Sequence, residues 1–129
     1  MKKVFLFLSA AALMLSACNN SATIVGEITW DDSQYFDLSA GKWYAAIGEG
    51  AELVNLRSLS YTNYQAVTPV TTTSVTFELE TKNYDNYTII VFNDANENGV
   101  FDSEDINYSG NIAMAEKGEE VSTTITVMY

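Results

Sequence analysis

This sequence predicts an all-β fold of about seven short strands arranged as a two-layer sandwich. Three observations carry that reading. Apolar and polar residues alternate with period 2 in several short runs, turn-forming residues separate those runs, and no segment holds a 3.6-residue apolar stripe with capping residues. One run, Tyr87-Thr88-Ile89-Ile90-Val91-Phe92, is apolar on both faces towards its end, as a strand in the middle of a sheet should be.

A leader precedes the strands. Lys2 and Lys3 open it, the apolar run from Val4 through Leu15 follows, and small residues Ser16 and Ala17 end it immediately before Cys18, the sole cysteine. This is a positive n-region, a short h-region and a processing site. The run falls short of the roughly 20 apolar residues a membrane-spanning helix needs, and no later segment approaches that length. Leu15-Ser16-Ala17-Cys18 resembles a bacterial lipobox, and the resemblance implies cleavage before Cys18, which then carries lipid as the membrane anchor. An ordinary secretion signal cut after Ala17 is the competing reading. The expected organisation is a signal peptide over 1–17, a lipidated cysteine and tether over 18–23, and a single domain over 24–129. The 112 residues left after cleavage suffice for one domain with its own core and not for two.

The elements follow in order. Ile24, Ile28 and Trp30 share one face of a first strand, while Val25, Glu27 and Thr29 take the other. Asp31, Asp32, Ser33, Asp37, Ser39, Ala40 and Gly41 supply a long polar connection. Trp43, Ala45 and Ile47 then alternate with Tyr44 and Ala46 in a second strand that ends at Gly48-Glu49-Gly50. Residues 53–61 read equally as a strand or a loosely held segment, and residues 64–67 can pair before Pro69 interrupts the ladder. Val75, Phe77 and Leu79 alternate with Thr76, Glu78 and Glu80, and Asn83-Tyr84-Asp85-Asn86 turns the chain into the central run 87–92. Ile112 and Met114 form a short strand, Glu116-Lys117-Gly118-Glu119 turns, and Val121, Thr123, Ile125, Val127 and Tyr129 mark the last strand.

Charge narrows the functional classes. Cleavage removes two of the six basic side chains and none of the 17 acidic ones. Such a surface repels phosphate backbones and anionic lipid heads, which argues against nucleic-acid binding. With one cysteine there is no internal disulfide, so the fold relies on its apolar core and on any bound metal. The chain has no histidine and, once Cys18 is acylated, no free thiol; it also lacks a recognisable activated-serine motif and a phosphate-binding glycine loop. Paired carboxylates such as Asp31, Asp32, Asp37, Glu49 and Glu52 suit glycoside hydrolysis in principle, but in loops they are more often a solvated rim. A non-enzyme is expected.

The chemistry concentrates in the segment 94–105. Oxygen-bearing side chains stand at loop positions 1, 3, 5, 9 and 12, namely Asp94, Asn96, Asn98, Asp102 and Asp105, with Gly99 at position 6. Calcium prefers 6 to 8 hard oxygen ligands, which a winding loop of this register supplies. Gly99 permits the tight reversal, Val100 offers its carbonyl, Asp102 binds directly or through water, and Asp105 closes the shell with less reach than a glutamate would have. Phe101 is expected to pack under the loop, with Glu97 and Glu104 facing solvent. The competing reading is an Asn/Asp/Gly-rich turn whose side chains satisfy backbone groups. Magnesium suits the loop less well, and zinc lacks its histidine or thiol ligands.

A strand running directly into Asp94-Ala95-Asn96-Glu97-Asn98-Gly99, with Asp102 and Asp105 beyond, resembles the transthyretin-like or prealbumin-like sandwich modules of bacterial secreted proteins and lipoproteins. The resemblance covers mainly residues 43–129 and implies a transthyretin-like or immunoglobulin-like sandwich. The loop also resembles those of dockerins and EF-hands, but the run before Asp94 is β-branched rather than helical and has no second copy, so only the loop chemistry carries over. The expected function is therefore a calcium-stabilised, membrane-anchored lipoprotein module with a structural or accessory role in the cell envelope, most naturally the outer membrane. The sequence leaves its periplasmic or surface side open. The alternative is a module that binds a neutral glycan or an envelope protein through exposed aromatics such as Tyr35, Phe36, Tyr61, Tyr64, Tyr84 or Tyr108.

Overall fold

In the computed structural model, residues 20–31 and 42–128 are described. The leader with Cys18, residues 32–41 with Tyr35 and Phe36, and the terminal Tyr129 lie outside them. The described residues form seven strands: β1 (Ser21–Trp30), β2 (Lys42–Glu49), β3 (Tyr61–Val67), β4 (Thr72–Glu80), β5 (Tyr84–Asp94), β6 (Ile106–Glu116) and β7 (Glu120–Val127), with a 3-10 turn at Leu56–Ser58. They make a three-stranded sheet in the order β4-β1-β7 and a four-stranded sheet in the order β3-β2-β5-β6. All pairings are antiparallel except β1 with β7. The expected seven-stranded sandwich is what the chain forms. Among the described residues no helix is long and apolar enough to cross a membrane.

Alternation decides which side chains meet between the sheets. Ile24, Ile28 and Trp30 of β1, Val75 and Phe77 of β4, and Ile125 and Val127 of β7 face Trp43, Ala45 and Ile47 of β2 and Ile89 and Val91 of β5 in one buried cluster. Trp30 and Trp43 meet edge to face with ring centroids 6.0 Å apart. Gly26 lies at the centre of the three-stranded sheet, where a β-carbon would come within 3.2 Å of Ile125 Cδ1 and of Val75 Cγ2. The absent side chain lets those two close over it.

The interior strand β5 is buried on both faces, as its sequence predicts. Its other row, Ile90 and Phe92, joins Ala46 in a second apolar cluster on the outer face of the four-stranded sheet, covered by Tyr44, Leu56, Tyr61, Tyr64 and Phe101. Leu56 belongs to the 3-10 turn, so the segment 53–61 divides: its middle crosses the outer face as a lid, and β3 begins only at Tyr61. Fully burying a ring such as Phe92 stabilises a fold by about 1.5–3 kcal/mol, so the lid contributes to stability and does not merely connect strands.

Two strands differ from the sequence reading. β1 begins at Ser21, not near Ile24, because Ala22 is 3 % exposed and joins the core; residues 21–23 are strand rather than tether. β6 is longer than the segment marked by Ile112 and Met114, and it buries Ala113 and Ala115 while Met114 is 54 % exposed. Small residues face inward there because the neighbouring β5 already fills the space with Tyr87 and Ile89.

The sheets are stitched along one side. Ser109 Oγ donates to the Thr126 carbonyl at 2.8 Å, and Asn111 Nδ2 donates to the Thr124 carbonyl at 2.7 Å. These bonds satisfy edge carbonyls that would otherwise invite another strand. On the opposite side Gln65 Nε2 donates to the Thr76 carbonyl at 2.8 Å. A cleft of about 490 Å³ opens beside it, lined by Asn63, Tyr64, Gln65, Thr76, Phe77 and Glu78.

Candidate metal centre

The loop 94–105 connects β5 to β6 and is positioned by the outer row of β5. Asp94 follows Ile90 and Phe92 on that row and is wholly buried, and Asp105, just before β6, is 1 % exposed. Both carboxylates hold backbone. Asp94 Oδ2 accepts the Gly99 N–H at 2.7 Å and Asp94 Oδ1 the Asn98 N–H at 3.3 Å. Asp105 Oδ1 accepts the Ala95 N–H at 3.0 Å and Oδ2 the Asp102 N–H at 2.9 Å, so this one side chain ties both ends of the loop together. Gly99 has φ +79, the left-handed region a side chain rarely adopts. Glu97 reaches the same region at φ 56 without glycine's freedom.

Above these two carboxylates the remaining candidate ligands converge. Asn96 Nδ2 donates to Asp102 Oδ2 at 3.0 Å, and Asn98 Nδ2 donates to the same oxygen. Asn96 Oδ1 accepts the Asn98 N–H at 3.3 Å, and Asn98 Oδ1 accepts the Val100 N–H at 3.0 Å. Asp102 Oδ1 accepts the Glu104 N–H at 2.9 Å. Five of the expected ligand residues therefore gather in one network. Val100 enters it through its N–H, and its side chain is 44 % exposed. Glu97 and Glu104 are exposed, as expected, although Glu104 Oε2 also accepts from Asn96 Nδ2 at 3.3 Å.

The electrostatics divide the aspartates. Hydrogen bonds from the Asn96 amide, the Glu104 N–H and the Asn98 amide hold the Asp102 carboxyl below its ordinary range, with a smaller contribution from Arg57. Burial pushes the Asp105 carboxyl up, and the charges of Asp102 and Asp94 add to that push, against the pull of the two N–H groups it accepts. A carboxylate raised by burial and like charge is one a cation would relieve.

The donor set fits a hard cation. Among the described residues no three histidine, cysteine, aspartate or glutamate side chains form a group able to hold a metal by themselves. Calcium does not need one, because amide and main-chain oxygens count fully in its shell. Each ionised carboxylate has about four lone-pair sites, so Asp94 and Asp105 keep acceptor capacity after taking two N–H bonds each. Asn96 and Asn98 present either end of the amide by rotating it.

Phe101 anchors the loop to the fold as the sequence suggests. Its ring lies 5.1 Å from Phe92, 5.2 Å from Tyr108 and 5.8 Å from Tyr61. Two contacts of the loop lie outside what the sequence indicates, one from Arg57 and one from Tyr64, which the sequence offers only as an exposed aromatic. The Arg57 guanidinium sits 4.8 Å from the Tyr108 ring centroid and 5.7 Å from that of Phe101, and its Nη2 donates to the Asp105 carbonyl at 2.9 Å. The Tyr64 hydroxyl accepts the Phe101 N–H at 3.4 Å. The scarcity of basic residues was the available signal for Arg57. Of the aromatics proposed for binding, Tyr61 and Tyr64 are half-buried in this cluster, while Tyr84 and Tyr108 are 65 % and 39 % exposed.

What the fold and loop define is a β-sandwich with an acidic, oxygen-rich loop braced on the outer face of its larger sheet. No family of known proteins matches the chain, and neither does any curated sequence.

Proposed function

We propose that this chain is a non-catalytic, lipid-anchored module of the cell envelope in which calcium, held by the loop 94–105, is a structural ion. The observation that carries the reading is the meeting of Asn96, Asn98 and Asp102 above the buried carboxylates of Asp94 and Asp105. Two neutral amide groups satisfy Asp102 Oδ2 there, a place a cation would take with more stabilisation because its full charge opposes three carboxylates at once. Asp94, Asn96, Asn98, Asp102 and Asp105 supply side-chain oxygens, the Val100 carbonyl completes the set, Gly99 makes the turn, and Phe101 couples the loop to the core. When bound, calcium neutralises the loop and links its two ends.

The membrane part of the reading rests on Leu15-Ser16-Ala17-Cys18. The non-catalytic part rests on the absence of histidine and on the lining of the cleft between β3 and β4, where Glu78 is the single carboxylate. Melting curves test the metal reading: calcium raises the melting temperature over chelator, and the rise disappears on replacing Asn98 and Asp102 together by Ala. Coincident curves for the unaltered protein defeat it.

One observation favours a second reading. The cleft is lined by Asn63, Gln65 and Thr76, neutral hydrogen-bonding groups, with Tyr64 and Phe77 beside them, which suits an uncharged glycan. Saturable retention on neutral polysaccharide that is lost with Asn63→Ala would support it, and no retention would remove it.

A further inference from the structure

The end of the sandwich formed by the β4–β5 and β6–β7 turns is where the chain arrives from Cys18. β1 pairs Ser21 with Glu80, the last residue of β4, and Thr23 with Glu120, the first of β7. The Ser21 carbonyl accepts the Gly118 N–H at 2.7 Å, and the Asn20 carbonyl accepts the Thr81 N–H at 2.5 Å. Asn20 is thus already bonded to the folded body, which leaves only Asn19 between it and the cysteine. Two peptide units extend at most about 7 Å. A lipid on Cys18 cannot hold the domain at a distance.

From these distances we infer that this end of the sandwich, carrying Lys82, Asn83 and Lys117 at its tips, lies against the lipid headgroup layer, with the loop 94–105 directed away from the membrane. The inference rests on the lipoprotein reading of Cys18 and goes beyond it by assigning a surface and an orientation. Lys82, Asn83, Tyr84, Lys117 and Gly118 are all exposed there. Two of the four basic residues of the processed chain stand on these two turns, placed to meet lipid phosphates. Glu80, Asp85, Glu116, Glu119 and Glu120 surround them, so the end as a whole is acidic and the fitting partner is a zwitterionic headgroup layer rather than an anionic one. Tyr84 adds an amphipathic ring of the kind that settles at a headgroup boundary.

The opposite end is remote. β5 has 11 residues between the tip at Tyr84 and the loop at Asp94, about 33 Å at the usual rise of a strand. β4 has nine residues between Glu80 and Thr72, roughly 27 Å. The loop and the β3–β4 connection therefore stand clear of a bilayer contacted at the other end, and they are the surfaces open to a soluble partner.

Two single-cysteine labels read the orientation in the full-length protein, expressed in a bacterium that acylates lipoproteins and purified into vesicles of phosphatidylcholine and phosphatidylethanolamine. Acylation occupies Cys18, so Asn83→Cys at the tip and Thr71→Cys at the far end each offer one free thiol for a fluorophore. A spin-labelled headgroup lipid should quench the label at position 83 at least about fivefold more strongly than that at 71, whose expected distance exceeds the reach of contact quenching. Equal quenching, or stronger quenching at 71, overturns the orientation. The mass of the N-terminal peptide separates the two ideas: an unmodified Cys18 overturns the lipoprotein reading and the inference with it, whereas an acylated Cys18 with equal quenching overturns the inference alone.

Discussion

Replacing Asp94 by Ala should destabilise the protein even in chelator, and more so in calcium. Without metal the loss comes from the backbone. Asp94 Oδ2 holds the half-buried Gly99 N–H at 2.7 Å, and leaving such a donor without its charged acceptor costs about 1–3 kcal/mol. The Asn98 N–H, 3.3 Å from Asp94 Oδ1, belongs to an exposed residue and is also accepted by Asn96 Oδ1 at 3.3 Å, so its loss adds little. A net loss of about 2 kcal/mol follows, or about 8–10 °C in melting temperature for a domain of this size. With calcium at a hundred times its dissociation constant the unaltered protein gains about a further 2.7 kcal/mol that the variant lacks, so the gap should roughly double. Thermal unfolding followed by the emission of Trp30 and Trp43, both buried, reads both conditions. A variant melting within about 2 °C of the parent in chelator would refute the bracing role, since even the lower bound of 1 kcal/mol shifts it further. A gap equal in calcium and chelator would show that Asp94 is no ligand.

Three further outcomes are expected. Burial, assisted by Asp85 and Glu49, pushes the Tyr87 hydroxyl up to about 12, and burial with Tyr64 and Glu52 does the same to Tyr61. Both folded values lie above the ordinary phenol value of 10.0, so their stabilisation is complete below that pH and is lost as pH rises towards 12; urea unfolding should show stability falling between pH 10 and pH 12, and stability unchanged over that range would contradict it. Gly110→Ala should cost more than Gly26→Ala in urea unfolding, about 1–3 kcal/mol, because its β-carbon would lie 3.0 Å from the Ile89 carbonyl, whereas at Gly26 the nearest atoms are flexible side-chain ends at 3.2 Å. Cys18→Ala should move the protein from the membrane to the soluble fraction with an unchanged melting temperature, and an unaltered protein already soluble after fractionation would dispose of the anchor.

The period-2 runs were legible because each buries one row, and β5 announced its central place by carrying Ile89 and Val91 on one face and Ile90 and Phe92 on the other. What alternation cannot express is who covers the second face. Leu56 and Phe101 come from a lid and a loop whose own patterns are irregular, and Arg57 acts through its position in that lid. The start of β1 was obscured because Ser21, Ala22 and Thr23 are small and polar enough to pass for tether, while their strand character comes from pairing with Glu80, Leu79 and Glu78. The parallel partnership of β1 with β7 is a long-range choice of the same kind. In the loop, residue types and spacing named the converging side chains. They did not disclose that Asp94 and Asp105 also brace backbone N–H groups, so substituting either residue tests two roles at once.

The most direct test of the metal site is equilibrium dialysis of the purified protein against radioactive calcium, with magnesium present in excess. One calcium ion per chain should bind, retained against magnesium and lost when Asn98 and Asp102 are both replaced by Ala, a change that leaves the carboxylates of Asp94 and Asp105 in place. Binding of no ion by the folded parent, or undiminished binding by the doubly substituted protein, would contradict it.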